Sequence, residues 1–438
     1  MHAMRIAFVV QRYGLSVNGG AEHHCRRLAE RISRRPEVDG VTVFTTCAFD
    51  YLTWENHFAP GVEEIEGVRV ERFPVVFPRL LRLQSALAHL TMSGPRLRIL
   101  ETPWLIAQGP FVPDLPRRLS EVRLDYDAFV FFTYLYYPTV YGMPQVADRA
   151  VLVPTAHDEP EIRLRCFRRV FELPRAIAFN TPEERDLVRS VLGVEPEPSE
   201  IVGCGVDAPS VLARRRQNGA PSRFSRRPYL LYLGRLDGGK GLNELVESFA
   251  LFKERHADTP IGAQGENLYG RDLRLVLAGR GEGLQTERND VERAGFVDES
   301  LKHDLVAHCQ ALVVPSRRES LSLALLEGWT FGRPAIVSAH CAVTAGHVSR
   351  CGGGFTYANG QEFSQKLAAL LANPELAGRS GAAGRRYVEK RYAWTRVEER
   401  LLGLLERVGA SRALPASDSA PRAPRFDSAP HYSVEALR

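Results

Sequence analysis

The sequence predicts an α/β protein made of two doubly wound parallel-sheet domains that face each other across a cleft. Three observations predict it. Short apolar runs alternate with amphipathic helical stretches along most of the 438 residues, the pattern of parallel strands covered by helices on both faces. That alternation breaks between Pro196 and Pro228, a stretch rich in Pro, Gly, Ser and Arg, and then restarts. In each half the first apolar run leads into a glycine turn and a helix: NGGAE at Asn18 to Glu22, and GRLDGGKG at Gly234 to Gly241. With 44% hydrophobic and 25% charged residues, the chain can bury real cores, which excludes a fibrous or globally disordered protein.

Taken in order, strands are expected at Ile6–Val10, Val41–Thr45, Val68–Phe73, Ala128–Phe132, Val151–Val153 and Ala176–Phe179. The apolar start after Met4 is far too short to span a membrane and lacks a small-residue cleavage site, so it reads as the first strand. Between Pro74 and Gly109, Leu80, Leu81, Leu83, Leu87 and Leu90 with Arg79 and Arg82 admit two readings. One is a basic amphipathic helix resting on a membrane surface. The other, preferred because arginine is the default polar residue of this chain, is a helix with one face on its own core. After the linker, strands are expected at Tyr229–Leu233, Leu273–Leu277, Leu312–Val314 and Ala335–Val337, with the polar loop from Ala257 to Gly270 as an insertion outside the site. Two helices follow from Pro374 to Val408. The domains are therefore drawn at 1–205 and 206–390. A helix at 391–408 is available to pack back on the first domain, and the Ala/Pro/Ser-rich tail 409–438 is expected to be disordered.

The net charge of +5 is spread along the chain without an aromatic-interleaved basic run, which argues against nucleic acid. Seven widely spaced cysteines with no CxxC pair read as reduced thiols of a cytoplasmic protein. No His/Asp/Glu cluster has metal-ligand spacing, so neither a metal nor a cofactor is expected.

The chemistry lies in three places. Strand, glycine loop and helix N-terminus at Gly234–Gly241 form an anion site, where backbone N–H groups and the helix dipole favour negative charge. Arg235 and Lys240 bracket that loop as a planar fork and a mobile point charge, suited to two linked phosphates. The loop at Gly19 and Gly20 repeats the arrangement in the first half. In PSRRESLSLALLEGWTFGRP, Glu319 closes a strand and Glu327 stands eight residues on. With a helix starting close to Ser320, unpaired N–H groups of Ser320, Leu321, Ser322 and Leu323 would face phosphate or sugar oxygens. The two carboxylates would then reach hydroxyls along one edge. His157, at a strand end and followed by Asp158, reads as functional by its position; the bland alternatives are a structural histidine, a solvated turn and surface ion pairs.

These residues carry a resemblance. The runs YLGRLDGGKGLNELVESF, LRLVLAGRGE, GFVDE and VPSRRESLSLALLEGWTFGRPAIVS resemble the C-terminal domain of glycosyltransferase family 4, retaining enzymes of the GT-B fold with two Rossmann-like domains. The Glu319 to Glu327 spacing matches that family's E-x7-E motif, and the Gly19–Gly20 loop with VPTAHDEPE resembles its N-terminal domain. The resemblance covers about residues 4 to 405 and implies an acceptor-binding first domain and a donor-binding second one. Arg235 and Lys240 would hold a donor diphosphate, Glu319 the transferred sugar, and Glu327 the ribose. His157 would sit beside the anomeric carbon, and Gly19 and Gly20 would close over the phosphates. Val297 would lie against the base, and Glu299 would accept from its N–H groups, a tilt toward GDP-sugars over UDP-sugars because guanine offers two adjacent donors. Two departures stand out: Ser322 where many relatives have glycine, and Gly328, Trp329 and Thr330 where they have small residues.

The implied activity is retaining transfer of a hexose from a nucleotide diphosphate sugar to a carbohydrate or lipid-linked carbohydrate hydroxyl, in bacterial surface polysaccharide synthesis. With no carboxylate nominated as nucleophile, same-face attack is preferred, with His157 orienting. The alternatives are a catalytically inactive nucleotide-sugar-binding partner of a polysaccharide assembly complex, or a nucleotide-sugar epimerase on the same fold. Donor sugar, acceptor, oligomeric state and peripheral contact at the inner membrane face are left open.

Overall fold

The structure is a computed structural model that describes residues 3–413, apart from Pro95, 196–197, 208–222, 262–267, Glu282 and Gln285. Most of the expected linker and the tail beyond Ala413 therefore lie outside the described residues. The final helix, Trp394–Ala413, carries regular structure five residues past the point where the tail was expected to begin.

The first half forms one sheet from β1 (Met4–Val9), β2 (Val38–Thr46), β3 (Gly61–Ile65), β4 (Val68–Phe73), β5 (Ala128–Phe132), β6 (Ala150–Val153), β7 (Ala176–Phe179) and β8 (Ser199–Ile201). Its order is β3-β4-β2-β1-β5-β6-β7-β8, parallel except where β3 turns back on β4. The second half contains β9 (Tyr229–Leu233), a short hairpin of β10 (Pro260–Ile261) and β11 (Leu268–Tyr269), then β12 (Arg274–Ala278), β13 (Val291–Gly295), β14 (Ala311–Val314), β15 (Ala335–Ser338) and β16 (Gly354–Tyr357). The sheet order here is β13-β12-β9-β14-β15-β16.

All ten strands read from the sequence are present. Those it missed outside the hairpin, β3, β8, β13 and β16, are the four edges of the two sheets. Central strands such as β5 are buried on both faces and must be apolar throughout. An edge such as β3, with four of its five residues exposed, carries glutamates and no apolar run to read.

Each sheet has one point where the strand order reverses: between β1 and β5, and between β9 and β14. The crevice beyond the carboxyl ends of the strands at such a point is where doubly wound folds bind ligands. Loops from those ends meet across the interface. Tyr51 follows β2 and Thr181 follows β7; they contact Arg235 after β9 and Ser320 after β14. The final helix then returns to the first domain. Glu398 pairs with Arg31 at 2.5 Å, Arg400 donates to Ile201 O at 3.0 Å, and the Trp394 ring packs on Gly205.

Trp329, unexpected after the second glutamate, is fully buried and donates to Gly353 O at 2.8 Å. Its indole fits because two glycines surround it: a Cβ at Gly353 or Gly384 would come within 2.6 or 2.3 Å of the ring. We therefore expect Gly384→Ala to destabilise the protein by about 1–3 kcal/mol. Chemical denaturation of the Gly384→Ala/Trp329→Leu double variant checks this, since the alanine should cost far less once the indole is gone.

Candidate functional site

In the second domain the β9 and β14 loops lie against each other. Gly241 has φ 72° and leads into the Leu242–Arg255 helix; a Cβ there would meet Pro315 O at 2.6 Å. This close approach brings Lys240 to Glu319, Nζ to Oε1, at 2.9 Å. The pair is only partly exposed, at 23% and 18% of the side chains, so water screens it less than a surface pair. The carboxylate of Asp237 accepts from Gly239 N at 3.1 Å and sets the turn that lifts Lys240.

The helix after Glu319 starts later than expected, at Leu323 and not near Ser320. Ser322 explains the delay: it sits at φ 69°, ψ 74°, a left-handed conformation that no helix continues and that costs a non-glycine residue on the order of 1 kcal/mol. A glycine would adopt this conformation without strain, so the residue type here bears on backbone conformation and not on room for a ligand. The N–H groups without an intrahelical acceptor move accordingly to Leu323 and Ala324. Ser320 and Leu321 belong to the loop, which is pinned by its carbonyls. Thr181 Oγ1 donates to Ser320 O at 3.2 Å, and His347 Nε2 donates to Leu321 O at 3.1 Å.

Glu327 pairs with Lys302 at 3.0 Å, and Lys302 also reaches Glu299 at 2.9 Å. Burial disfavours the Lys302 ammonium, but the two carboxylates outweigh it and raise its pKa. His303 stands 3.4 Å from Glu299 and, with Lys302, lowers that carboxyl's pKa. Glu299 is thus already engaged by two partners of its own helix, which weakens its case as a reader of guanine.

In the first domain a side chain on Gly19 would run into the Glu22 carboxylate. Glu22 in turn accepts from Arg12 at 2.6 Å and from Gln11 at 2.9 Å, and Arg12 holds Asn18 O at 2.9 Å. Gly20, by contrast, borders open space. The Arg12 guanidinium lies over the Tyr51 ring at 5.5 Å, and Arg235 of the other domain lies over the same ring at 5.3 Å. Arg235 also donates to the Tyr51 hydroxyl at 2.6 Å. One tyrosine thus joins the two glycine loops.

His157 Nε2 faces Glu159 at 3.2 Å, and the other oxygen of Glu159 accepts from Tyr134. Asp158 points to solvent and pairs with Arg163 at 2.7 Å. Beneath this loop the buried Glu184 accepts from the N–H groups of Ala156 and Asn180.

A cavity of about 550 Å³ opens between the domains. Asn18 and His23 line it from one side; Val297, Glu299, Lys302, Leu323 and Glu327 line it from the other. Arg235, Lys240, Glu319 and His157 lie outside its wall. Lys240 and Glu319 connect to it through the loop that ends at Leu323, and Arg235 through the Tyr51–Arg12–Asn18 contacts; His157 is held apart from it by Glu159. Lys302, His23, Tyr51 and Glu159 were not singled out from the sequence. Lys302 had a signal, being one of five lysines in a chain of 52 arginines.

Residues 214–387 match the model of the family described as glycosyl transferases group 1. The chain is 29% identical over 218 residues to an uncharacterized glycosyltransferase, YqgM, of Bacillus subtilis, an alignment covering 47% of this chain and 56% of that protein. It is 23% identical over 279 residues to a D-inositol 3-phosphate glycosyltransferase of Jonesia denitrificans, covering 61% and 65%. The chain thus spans between half and two thirds of the length of these relatives. Among solved structures it resembles sucrose-phosphate synthase from Thermosynechococcus elongatus, with TM-score 0.62, 17% identity, and 93% and 100% of the two chains covered. It also resembles WaaG, a glycosyltransferase involved in lipopolysaccharide biosynthesis, with TM-score 0.58, 15% identity, and 91% and 99% covered. At such identity these likenesses establish the GT-B fold alone.

Burial pushes the Glu184 carboxyl up to about 8, against the pull of its two N–H donors. A carboxyl raised on folding contributes stability that is complete below its unfolded pKa and is lost as pH rises through the folded one. Compared with Glu184→Gln, the natural protein should therefore lose up to roughly 4 kcal/mol between about pH 4.5 and pH 8. Denaturation of both proteins across that window reads the effect; a constant gap would contradict it.

Proposed function

We propose that the chain is a retaining glycosyltransferase that moves a hexose from a nucleotide diphosphate sugar to a carbohydrate hydroxyl. The observation that carries this reading is the meeting of Lys240 and Glu319 where the strand order reverses, beside the free N–H groups that open the Leu323–Thr330 helix.

The reaction develops negative charge on the departing diphosphate and positive charge on the sugar. Lys240, Arg235 and the N–H groups of Leu323 and Ala324 supply preorganised positive potential for the first. Once the diphosphate takes over Lys240, the Glu319 carboxylate is released to accept hydroxyls of the transferred sugar. Glu327, in the cavity with Val297, takes the ribose hydroxyls while Lys302 orients its carboxylate.

Both oxygens of Glu159 are engaged, one by Tyr134 and one by His157. Glu159 therefore orients the imidazole and is a poor candidate for a covalent nucleophile. This supports same-face attack, with a leaving phosphate oxygen taking the acceptor proton and His157 holding the acceptor. For the base, the partners of Glu299 reduce the tilt toward guanine. An Anabaena protein of the same fold is described in complex with UDP-glucose, and uridine is an equal candidate. The proposed acceptors are carbohydrates or lipid-linked carbohydrates of bacterial surface polysaccharide synthesis.

Lys240→Ala should lower turnover at least ~100-fold while leaving the melting temperature within a few degrees. NMR of the natural protein's product should show the anomeric configuration of the donor. Undiminished turnover in the variant would remove the diphosphate assignment, and inversion would remove the mechanism.

A further inference from the structure

The segment between Pro74 and Leu100 contains four arginines and no acidic residue. Of the described residues, it holds six of the eleven large hydrophobic side chains that stand exposed. Leu81 and Leu83 are 51% and 48% exposed, Leu97 is 43%, and Ile99 is 85%. The preferred expectation, a helix with one face on its own core, holds only in part: the Leu81–Ala88 helix buries Leu87 alone. Leu87 is joined by Ala88, Met92 and Leu100 against the domain core, which leaves Leu80, Leu81, Leu83, Leu97 and Ile99 exposed together with Arg82, Arg96 and Arg98.

We propose that this face docks on the surface of an anionic lipid bilayer. Exposed aliphatics in a segment with no acidic residue of its own suit the boundary between headgroups and acyl chains, and the arginines suit its negative potential. A second copy of this chain would bring the same arginines together with nothing to neutralise them, so charge favours the bilayer. No helix among the described residues is long and apolar enough to cross a membrane, so the contact is peripheral.

The platform is fixed to the cleft. Arg79, at its base, donates to Gln108 O at 2.9 Å and lies 5.0 Å over the Trp54 ring. Trp54 donates to the same carbonyl at 2.8 Å and packs in one small cluster with Tyr51, the residue that meets Arg235. A bilayer touching Leu81 and Ile99 would lie on the side of the first domain from which Tyr51 reaches the cleft. Docking itself requires no transfer activity.

Co-sedimentation of the full chain with vesicles tests the proposal. Vesicles of phosphatidylcholine with roughly a third phosphatidylglycerol should bind the protein, pure phosphatidylcholine vesicles should bind it weakly, and ~0.5 M salt should release much of it. Arg82→Gln, Arg96→Gln and Arg98→Gln should each weaken partitioning about fivefold. The triple variant Leu81→Ser, Leu83→Ser, Ile99→Ser should abolish it. All of these side chains are exposed, so the melting temperature should hold. Absence of binding to anionic vesicles would overturn the proposal, as would binding indifferent to these substitutions. So would a concentration-dependent dimer in sedimentation velocity that the triple serine variant converts to monomer.

Discussion

Two lysine–glutamate pairs tie together the loops and helices on the second domain's side of this cleft, and the rest of the fold serves to bring those elements together. Lys240 with Glu319 joins the loops after β9 and β14; Lys302 with Glu327 joins the helix after β13 to the helix after β14. Neither pair is fully buried, so neither bears the whole cost of stripping two ions of water, and neither is fully screened. Each carboxylate is thereby oriented, and each lysine can exchange a carboxylate for another negative group. Lysine suits this exchange better than arginine, because a compact ammonium on a flexible stem can change partners where a planar fork is held in place.

The loop carrying Glu319 is held from both domains. His347 supports Leu321 O from behind. Burial lowers its imidazole to about 3, so it stays neutral with Nε2 as donor and Nδ1 facing the Tyr387 hydroxyl at 3.0 Å. Thr181 holds Ser320 O from the first domain, and Arg350 pairs with Glu183 across the same interface. The strained Ser322 directly follows the two supported carbonyls, which helps to keep a non-glycine residue at a positive φ. Relative movement of the domains would therefore act directly on the backbone that positions Glu319 and the first N–H groups of its helix.

The fold was largely legible in the sequence because central parallel strands must be apolar on both faces, and their runs stand out. Edge strands carry no such requirement, and β3 or β13 look like polar loops. The glycine loops, Arg235, Lys240 and Glu319 could be read from their positions after strand ends, and Glu327 from its spacing eight residues on. The start of the helix after Glu319 could not, since a serine gives no sign of a left-handed conformation. Asp158 looked like part of a His–Asp motif, but its side chain turns outward to Arg163, and the partner of His157 is the next residue but one. Contacts assembled by tertiary structure alone, such as Tyr51 with Arg235, leave no trace in local sequence. The exposed aliphatics near Leu81 were visible as residues, but only the packing decided which way they face.

The account stands on positive groups of the second domain receiving a pyrophosphate. Calorimetric titration with a nucleoside diphosphate and the matching monophosphate, on the natural protein and on Arg235→Ala, tests this most directly. The natural protein should bind the diphosphate at least ~10-fold more tightly, since one further charge-assisted contact is worth about 1.5–3 kcal/mol, and the variant should lose most of that preference. Equal affinity for the two nucleotides, or a preference unchanged by the substitution, would contradict it.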